Sequence, residues 1–223
     1  MLNFDSNNDL ILGISDRSCG NLRVFSAPEN RAKFFSSFNK RIIAADLVHG
    51  DQVVIVDNNS DDIVSGDALI TNNPNIILSI TVADCLPVYF YDRVRKVIGL
   101  AHAGWHGVED EIAVKVVKLL QDKYGSLNSD IAIFIGPHIG ACHFEVQSDL
   151  IQKFSSYPEF IISQSGKTFI DLAGIVSKQL MAIGLSDISV SSECTYCLPD
   201  KYFSFRRDKP KDLEVMAAYI GLK

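Results

Sequence analysis

Apolar positions along this chain fall into short runs, some with the two-residue period of a strand and others with the spacing of a helix. "LILGISD" at 10–16 reads as a strand. "APENRAKFFSSFNK" at 27–40 reads as a helix, with Pro28 placed to open its first turn. "RIIAADLVHGDQVVIVD" at 41–57 holds two apolar runs interrupted at His49-Gly50-Asp51-Gln52, which predicts two strands joined by a tight turn. More strands follow over 67–92, with Asn72-Asn73-Pro74-Asn75 as turn chemistry. Residues 81–107, "TVADCLPVYFYDRVRKVIGLAHAGWHG", predict a hairpin around a charged turn. "VEDEIAVKVVKLLQDKYG" at 108–125 predicts a helix ended by glycine.

Beyond it, 130–146 reads as a strand running into a Gly/Pro-rich loop. "DLIQKFSSY" and "DLAGIVSKQLMAIGL" read as helices with Asp149 and Asp171 at their N-caps. "DISVSSECTYC" and "YFSFRRD" read as strands, and the apolar "EVMAAYIGL" closes the fold. Strands outnumber helices and several are hairpin-linked, so the expected fold is an α+β mixture with mixed or antiparallel sheets. No repeat or linker interrupts it, which favours one domain over 1–223.

Composition narrows the function classes. With 47% hydrophobic and 22% charged residues the chain is an ordinary globular sequence, and no apolar run is long enough to span a membrane. The first residues lack the basic and long apolar regions of a secretory signal. A net charge of −6 and a pI near 5.3 argue against nucleic acid as a partner, and "RVRK" (93–96) and "RRDKPK" (206–211) read as solvated turns. Cys19, Cys85, Cys142, Cys194 and Cys197 are an odd count without the density of a disulfide scaffold, which suits a reducing cytoplasm.

Two residues of the predicted hairpin are unusual for apolar strands. If its turn centres on Arg93-Val94, Asp92 faces Arg95, Phe90 faces Val97 and Cys85 faces His102, side by side on one face. The pair has three readings: a thiol activated by an imidazole, two metal ligands, or a buried cysteine packed beside a hydrogen-bonded histidine. His49, at its own turn, adds a third donor. His49, Cys85 and His102 together would give three ligands and an open fourth position, the arrangement of catalytic zinc. Asp84 stands beside them as a proton acceptor, a supporting partner or a turn carboxylate.

The segments "GDALIT", "TVADCLPV", "GLAHAGWHG", "IGPHIGACHFEV", "FIDL", "ECTYC" and "YFSFRRD" occur in the order found in the multicopper polyphenol oxidase (laccase-like) domain family. That family includes purine nucleoside phosphorylase/adenosine deaminase proteins and the bacterial peptidoglycan editing factor. The resemblance covers about residues 40 to 220. It implies two mixed β-sheets sandwiched between helices, in the α/β/β/α manner of the cytotoxic-necrotizing-factor fold, and a zinc site at His49, Cys85 and His102. Where the family usually has arginine after the tryptophan, this chain has His106, and Leu47 replaces a usual glutamine. His106 lies four residues from His102 and is a candidate acid, base or substrate contact. Arg206 and Arg207 resemble the family's substrate- or phosphate-contacting groups, and strand alternation would send only one of them into the site.

The remaining candidates have plainer readings. His138 and His143 read as hydrogen-bonded loop residues, Cys194-Thr-Tyr-Cys197 as a turn at a strand end, and Cys142 has no derived role. The expected function is a zinc-dependent purine nucleoside enzyme working by deamination or phosphorolysis. Its partners would be the nucleoside and phosphate, with Cys85, His102, Asp84 and His106 at the reacting centre. A metal-free Cys85–His102 hydrolase or amidase, such as a peptidoglycan-precursor editing enzyme, is the alternative. A copper polyphenol oxidase fits less well, because blue and trinuclear copper centres need more histidines than the five present.

Overall fold

The computed structural model describes residues 9–223. The start of the chain, read above for a signal segment, lies outside the described residues. Among the described residues, fourteen strands and six α-helices follow one another in a mixed order. β1 (Leu10–Ile14), α1 (Pro28–Phe35) and β2 (Arg41–Asp46) are followed by β3 (Val53–Ile55), β4 (Ile63–Ser65), β5 (Ala68–Thr71) and β6 (Ile76–Val82). Then come β7 (Leu86–Asp92), β8 (Val97–Ala103), α2 (Trp105–Glu109), α3 (Ile112–Tyr124) and β9 (Ile131–Ile135). β10 (Glu145–Val146), α4 (Ser148–Lys153), β11 (Ile161–Gln164), β12 (Lys167–Ile170) and α5 (Leu172–Ala182) precede β13 (Ile188–Val190), α6 (Phe205–Asp208) and β14 (Met216–Leu222).

Two mixed sheets carry the fold, as expected. One has the order β1-β14-β6-β2-β4, the other β13-β9-β7-β8-β5-β3, and β10-β12-β11 form a small third sheet. Alternation along each strand divides the apolar side chains between layers. Ile76, Leu78 and Ile80 of β6 meet Tyr89, Tyr91, Ile98 and Leu100 of β7 and β8 in the layer between the large sheets. Val88, Phe90 and Ala101 face the other way, against Val116 and Leu120 of α3 and Ile175 and Val176 of α5. Ile77 and Ala217 point outward beneath Phe35 of α1. The result is helix, sheet, sheet, helix.

Several local expectations are corrected. β2 and β3 do not form a hairpin: β2 pairs with β4 and β6 in one sheet, and β3 pairs with β5 in the other. The segment holding His49 is therefore a crossing between sheets. The 108–125 helix is two helices, because Glu111 takes φ 57° between α2 and α3. Asp171 caps α5 by accepting the Gly174 N–H at 3.0 Å, but in α4 Gln147 holds the N-cap position without a side-chain capping bond and Asp149 lies inside the first turn. "YFSFRRD" ends in α6 rather than in a strand. Ser204 Oγ accepts the Arg207 N–H while Asp208 Oδ2 accepts the Ser204 N–H, and this reciprocal cap overrides the strand preference of the aromatics.

The β7–β8 hairpin forms with a longer turn than expected. Asp92 Oδ1 accepts the N–H groups of Val94 and Arg95, so four residues make the turn and Asp92 faces Val97. Phe90 then faces Gly99, and His102 faces Pro87 instead of Cys85. Because the shift is two residues, every side chain keeps the face expected for it.

Candidate functional site

The site lies at one end of the layer between the two sheets. Three crossings from one sheet to the other converge there, at 47–52, 66–67 and 83–85. β8 ends beside them at His102 and Ala103. The convergence encloses a cavity of about 480 Å³ lined by His49, Asp84, Cys85, His102, His106 and Arg206 among others. These are the expected site residues with the exception of Arg207.

Asp67 organises the first two crossings. Its fully buried carboxylate accepts the His49 N–H at 2.7 Å and the Gly50 N–H at 2.9 Å. Its own N–H donates to Gln52 O, and its carbonyl accepts the His102 N–H at 2.8 Å. His49 is held at φ 58°, a left-handed conformation that is costly for a residue with a Cβ. Its ring thereby meets that of His102 edge-on, with centroids 5.2 Å apart.

Cys85 and His102 approach each other through Gly104 rather than as cross-strand partners. A Cβ on Gly104 would lie 3.2 Å from Cys85 Sγ and 3.6 Å from His102 Cε1, so the missing side chain leaves the space between them. Burial pushes the Cys85 thiol up to about 12, and the neighbouring Asp84 carboxylate adds to this. Burial lowers the His102 imidazole to about 3, assisted by His49. His102 is thus a neutral imidazole with a free lone pair at neutral pH. A thiolate–imidazolium pair would need both shifts reversed.

Asp84 is committed to holding its surroundings. It sits at φ 92°, is nearly fully buried, and uses both carboxylate oxygens. One accepts the Thr195 hydroxyl and the other the Arg206 N–H, both at 2.7 Å, while its carbonyl accepts the Ile139 N–H. Arg206 reaches the cavity from α6 with its guanidinium 5.4 Å from the Phe144 ring centroid, and its Nη1 donates to Glu145 O. Arg207 turns away and donates to Thr195 O, Tyr196 O, Tyr202 O and Asp208. His106, the first-turn neighbour of Trp105 on α2, is exposed at the cavity wall.

Two supporting residues escaped the sequence reading. Asp67 opens the apolar strand of "GDALIT", and an acidic residue at that position is the one local signal for it. Thr195 reads in the sequence as the interior of a turn, and nothing local marks it as the partner of Asp84. His138 is, as expected, a hydrogen-bonded loop residue, with Nδ1 2.8 Å from Gly136 O. His143 and the CxxC are more than that. The turn is present, but the ligand atoms of Cys142, His143, Cys194 and Cys197 all lie within 4.8 Å of one another, a group that could hold a metal ion. Among the described residues this is the set that converges so tightly. The donors of His49, Cys85 and His102 are more widely spread.

Among the described residues no helix is long and apolar enough to cross a membrane. The chain resembles a purine nucleoside phosphorylase of Clostridium acetobutylicum, 34% identical over 164 residues that cover 72% of this chain and 68% of that one. It is 36% identical over 164 residues to the purine nucleoside phosphorylase YlmD of Bacillus subtilis, covering 70% of this chain and 59% of the relative. Of solved structures, the hypothetical protein YfiH of Bacillus licheniformis superposes with a TM-score of 0.90 at 30% identity, over 97% of this chain and 94% of that one. YlmD of Geobacillus stearothermophilus gives 0.88 at 28% identity, over 96% and 92%. With residues 25–223 also matching its family model, the chain belongs to the multi-copper polyphenol oxidoreductase laccase family.

Proposed function

We propose that this protein is a purine nucleoside enzyme whose reaction takes place in the inter-sheet cavity, with phosphorolysis as its principal direction. The observation that supports the reading is that His49, Cys85 and His102 line one cavity, with the two imidazole rings 5.2 Å apart, within a chain whose relatives bear the name purine nucleoside phosphorylase. A cavity of about 480 Å³ is of ligand-binding size. Trp105, Phe25 and Phe205 on its walls offer flat apolar surfaces to a purine ring.

The donor set suits zinc. Two imidazoles and one thiol are borderline-soft ligands, the His102 ring is already neutral, and Gly104 leaves room between sulfur and ring. Zinc bound there would supply Lewis-acid polarisation in an enclosed pocket. In phosphorolysis the bond between the sugar's anomeric carbon and the base nitrogen breaks while a phosphate oxygen bonds to that carbon. In this reading Arg206 orients the phosphate, Asp84 holds the Arg206 backbone, and His106 delivers a proton to the departing base, which their positions on the cavity lining support. Deamination of adenosine is the second direction of the same pocket, in which water adds to the amino-bearing carbon of the purine ring and ammonia leaves from that carbon.

The metal-free thiol reading is disfavoured by the protonation pattern, which leaves Cys85 a thiol and His102 a weak base. Copper oxidase chemistry is disfavoured by the five histidines, since His138 and His143 sit away from the cavity lining.

Zinc-loaded protein should be assayed with adenosine and inosine, with and without phosphate, following free base, sugar phosphate and ammonia. Phosphate-dependent base release, lost in Cys85→Ala, is the expected outcome. Ammonia release independent of phosphate would shift the reading to deamination. Absence of turnover of either nucleoside by metal-loaded protein would refute the nucleoside reading.

A further inference from the structure

The Cys142, His143, Cys194 and Cys197 group lies outside the inter-sheet cavity, and nothing in the nucleoside reading uses it. Cys142 and His143 follow β9 in the loop leading to β10, and Cys194 and Cys197 follow β13. β9 and β13 are parallel neighbours, so their C-terminal loops emerge together at one end of the sheet. A bridge between His138 and Cys194 continues that pairing.

We propose that Cys142, His143, Cys194 and Cys197 form a second, four-ligand zinc site that staples the β9–β10 loop to the loop after β13. The geometry is close to a tetrahedral one. Zinc–sulfur bonds of about 2.3 Å and zinc–nitrogen bonds of about 2.0 Å place sulfurs about 3.8 Å apart and sulfur about 3.5 Å from nitrogen. Cys142 Sγ and Cys197 Sγ are 3.7 Å apart, and His143 Nδ1 lies 3.2 Å and 3.3 Å from these two sulfurs. Cys194 Sγ completes the set and accepts the Gly140 N–H at 3.3 Å, a contact that supports a thiolate ligand. The His143 ring is fixed by stacking on Tyr196, with centroids 3.9 Å apart and planes at 15°.

Three sulfurs and one imidazole make a closed set without a place for substrate, so the role is structural. Its consequence reaches the cavity. Thr195, between the two cysteines of the turn, gives its hydroxyl to Asp84, and Arg207 ties down the carbonyls of Thr195 and Tyr196. The staple therefore holds the turn that holds Asp84, and through Asp84 the backbone of Arg206.

The test is metal counting by mass spectrometry on protein purified without added metal, in wild type, Cys85→Ala and Cys197→Ser. Cys85→Ala should retain about one zinc per chain, and Cys197→Ser should hold one equivalent less than wild type. Cobalt-substituted Cys85→Ala should show intense thiolate-to-metal charge-transfer bands and tetrahedral ligand-field bands, which the double variant Cys85→Ala/Cys197→Ser loses. A wild type with one zinc that survives Cys85→Ala would sink the cavity site and leave the staple standing. The staple is overturned if Cys85→Ala folds without metal, if Cys197→Ser keeps the full wild-type content, or if native Cys142 and Cys197 form a disulfide that resists alkylation. If Cys197→Ser does not fold, the metal count and cobalt spectrum of Cys85→Ala decide alone.

Discussion

Asp67→Asn tests whether one buried carboxylate builds the left-handed conformation that brings His49 against His102. The side chain keeps its shape, but one of the two oxygens that accept from His49 and Gly50 becomes an NH₂ facing an N–H. A hydrogen bond to a charged partner contributes about 1.5–3 kcal/mol, and the opposed donor adds a desolvation cost, so the loss should be about 2–4 kcal/mol. Asp67→Ala would strand both N–H groups and approach the whole stability of an ordinary domain, so the amide is the useful variant. For a urea m-value of about 2 kcal/mol/M the midpoint should fall by about 1–2 M.

The same substitution should weaken metal binding, because the carboxylate is what holds His49 at φ 58°. His49→Asn separates the two effects. Asparagine tolerates the left-handed conformation, so this variant should keep its urea midpoint while losing the ligand. Equilibrium urea unfolding of chelated protein, followed by zinc titration of each variant, measures both quantities. The reasoning fails if Asp67→Asn unfolds within about 0.2 M of wild type, a shift smaller than one neutral hydrogen bond would produce.

Gly104→Ala places a methyl 3.2 Å from Cys85 Sγ at a backbone conformation alanine accepts, so stability should drop by only about 1–2 kcal/mol while zinc affinity at the cavity falls at least tenfold by titration. An unchanged affinity would show that Gly104 does not shape the ligand gap. His102 is neutral when folded until about pH 3 but binds a proton near pH 6.5 when unfolded, so its contribution is fully present above 6.5 and is lost as pH falls toward 3. Metal-free wild type should therefore lose stability more steeply than His102→Gln, by up to about 1.4 kcal/mol per pH unit in that window, and equal slopes in urea titrations would contradict the burial argument. Arg206→Ala should raise the KM for phosphate by about tenfold or more with a smaller effect on nucleoside KM, whereas Arg207→Ala should act mainly on the thermal midpoint, since its guanidinium is bonded to Thr195, Tyr196, Tyr202 and Asp208. Kinetics with phosphate varied at fixed nucleoside checks the contrast.

The strands were legible in the sequence as short apolar runs between turn signals, whereas their stacking as two sheets between helices was implied by the family resemblance. β6, β7 and β8 are nearly continuous apolar runs buried on both faces, and it is pairing about the charged turn that assigns Cys85 and His102 to the same face. The register was not legible in detail. It depended on Asp92 bonding Val94 and Arg95, which lengthened the turn, yet the two-residue slip left the facing intact. The crossings were illegible for a different reason. "RIIAADLVHGDQVVIVD" looks like a hairpin because a turn within one sheet and a passage between two sheets use the same residues. Only the pairing partners of β2 and β3, far along the chain, distinguish them.

That difference explains why the cavity is where it is. A hairpin tip would have left His49 alone in solvent, whereas a crossing brings it to the open end of the inter-sheet layer, where the 66–67 and 83–85 crossings also arrive. Each crossing contributes polar groups to this end of the layer: His49 from the first, Asp67 from the second, Asp84 and Cys85 from the third. Two of these residues, His49 and Asp84, stand at positive φ, and such strain of about 1–3 kcal/mol persists only where surrounding bonds over-determine it. Asp67 supplies those bonds to His49. Thr195, Arg206 and Ile139 supply them to Asp84, and Thr195 lies within the turn that the Cys142, His143, Cys194 and Cys197 cluster draws together. Loosening that turn should therefore be felt at Asp84 before it is felt at His49, because the two strained residues depend on separate supports.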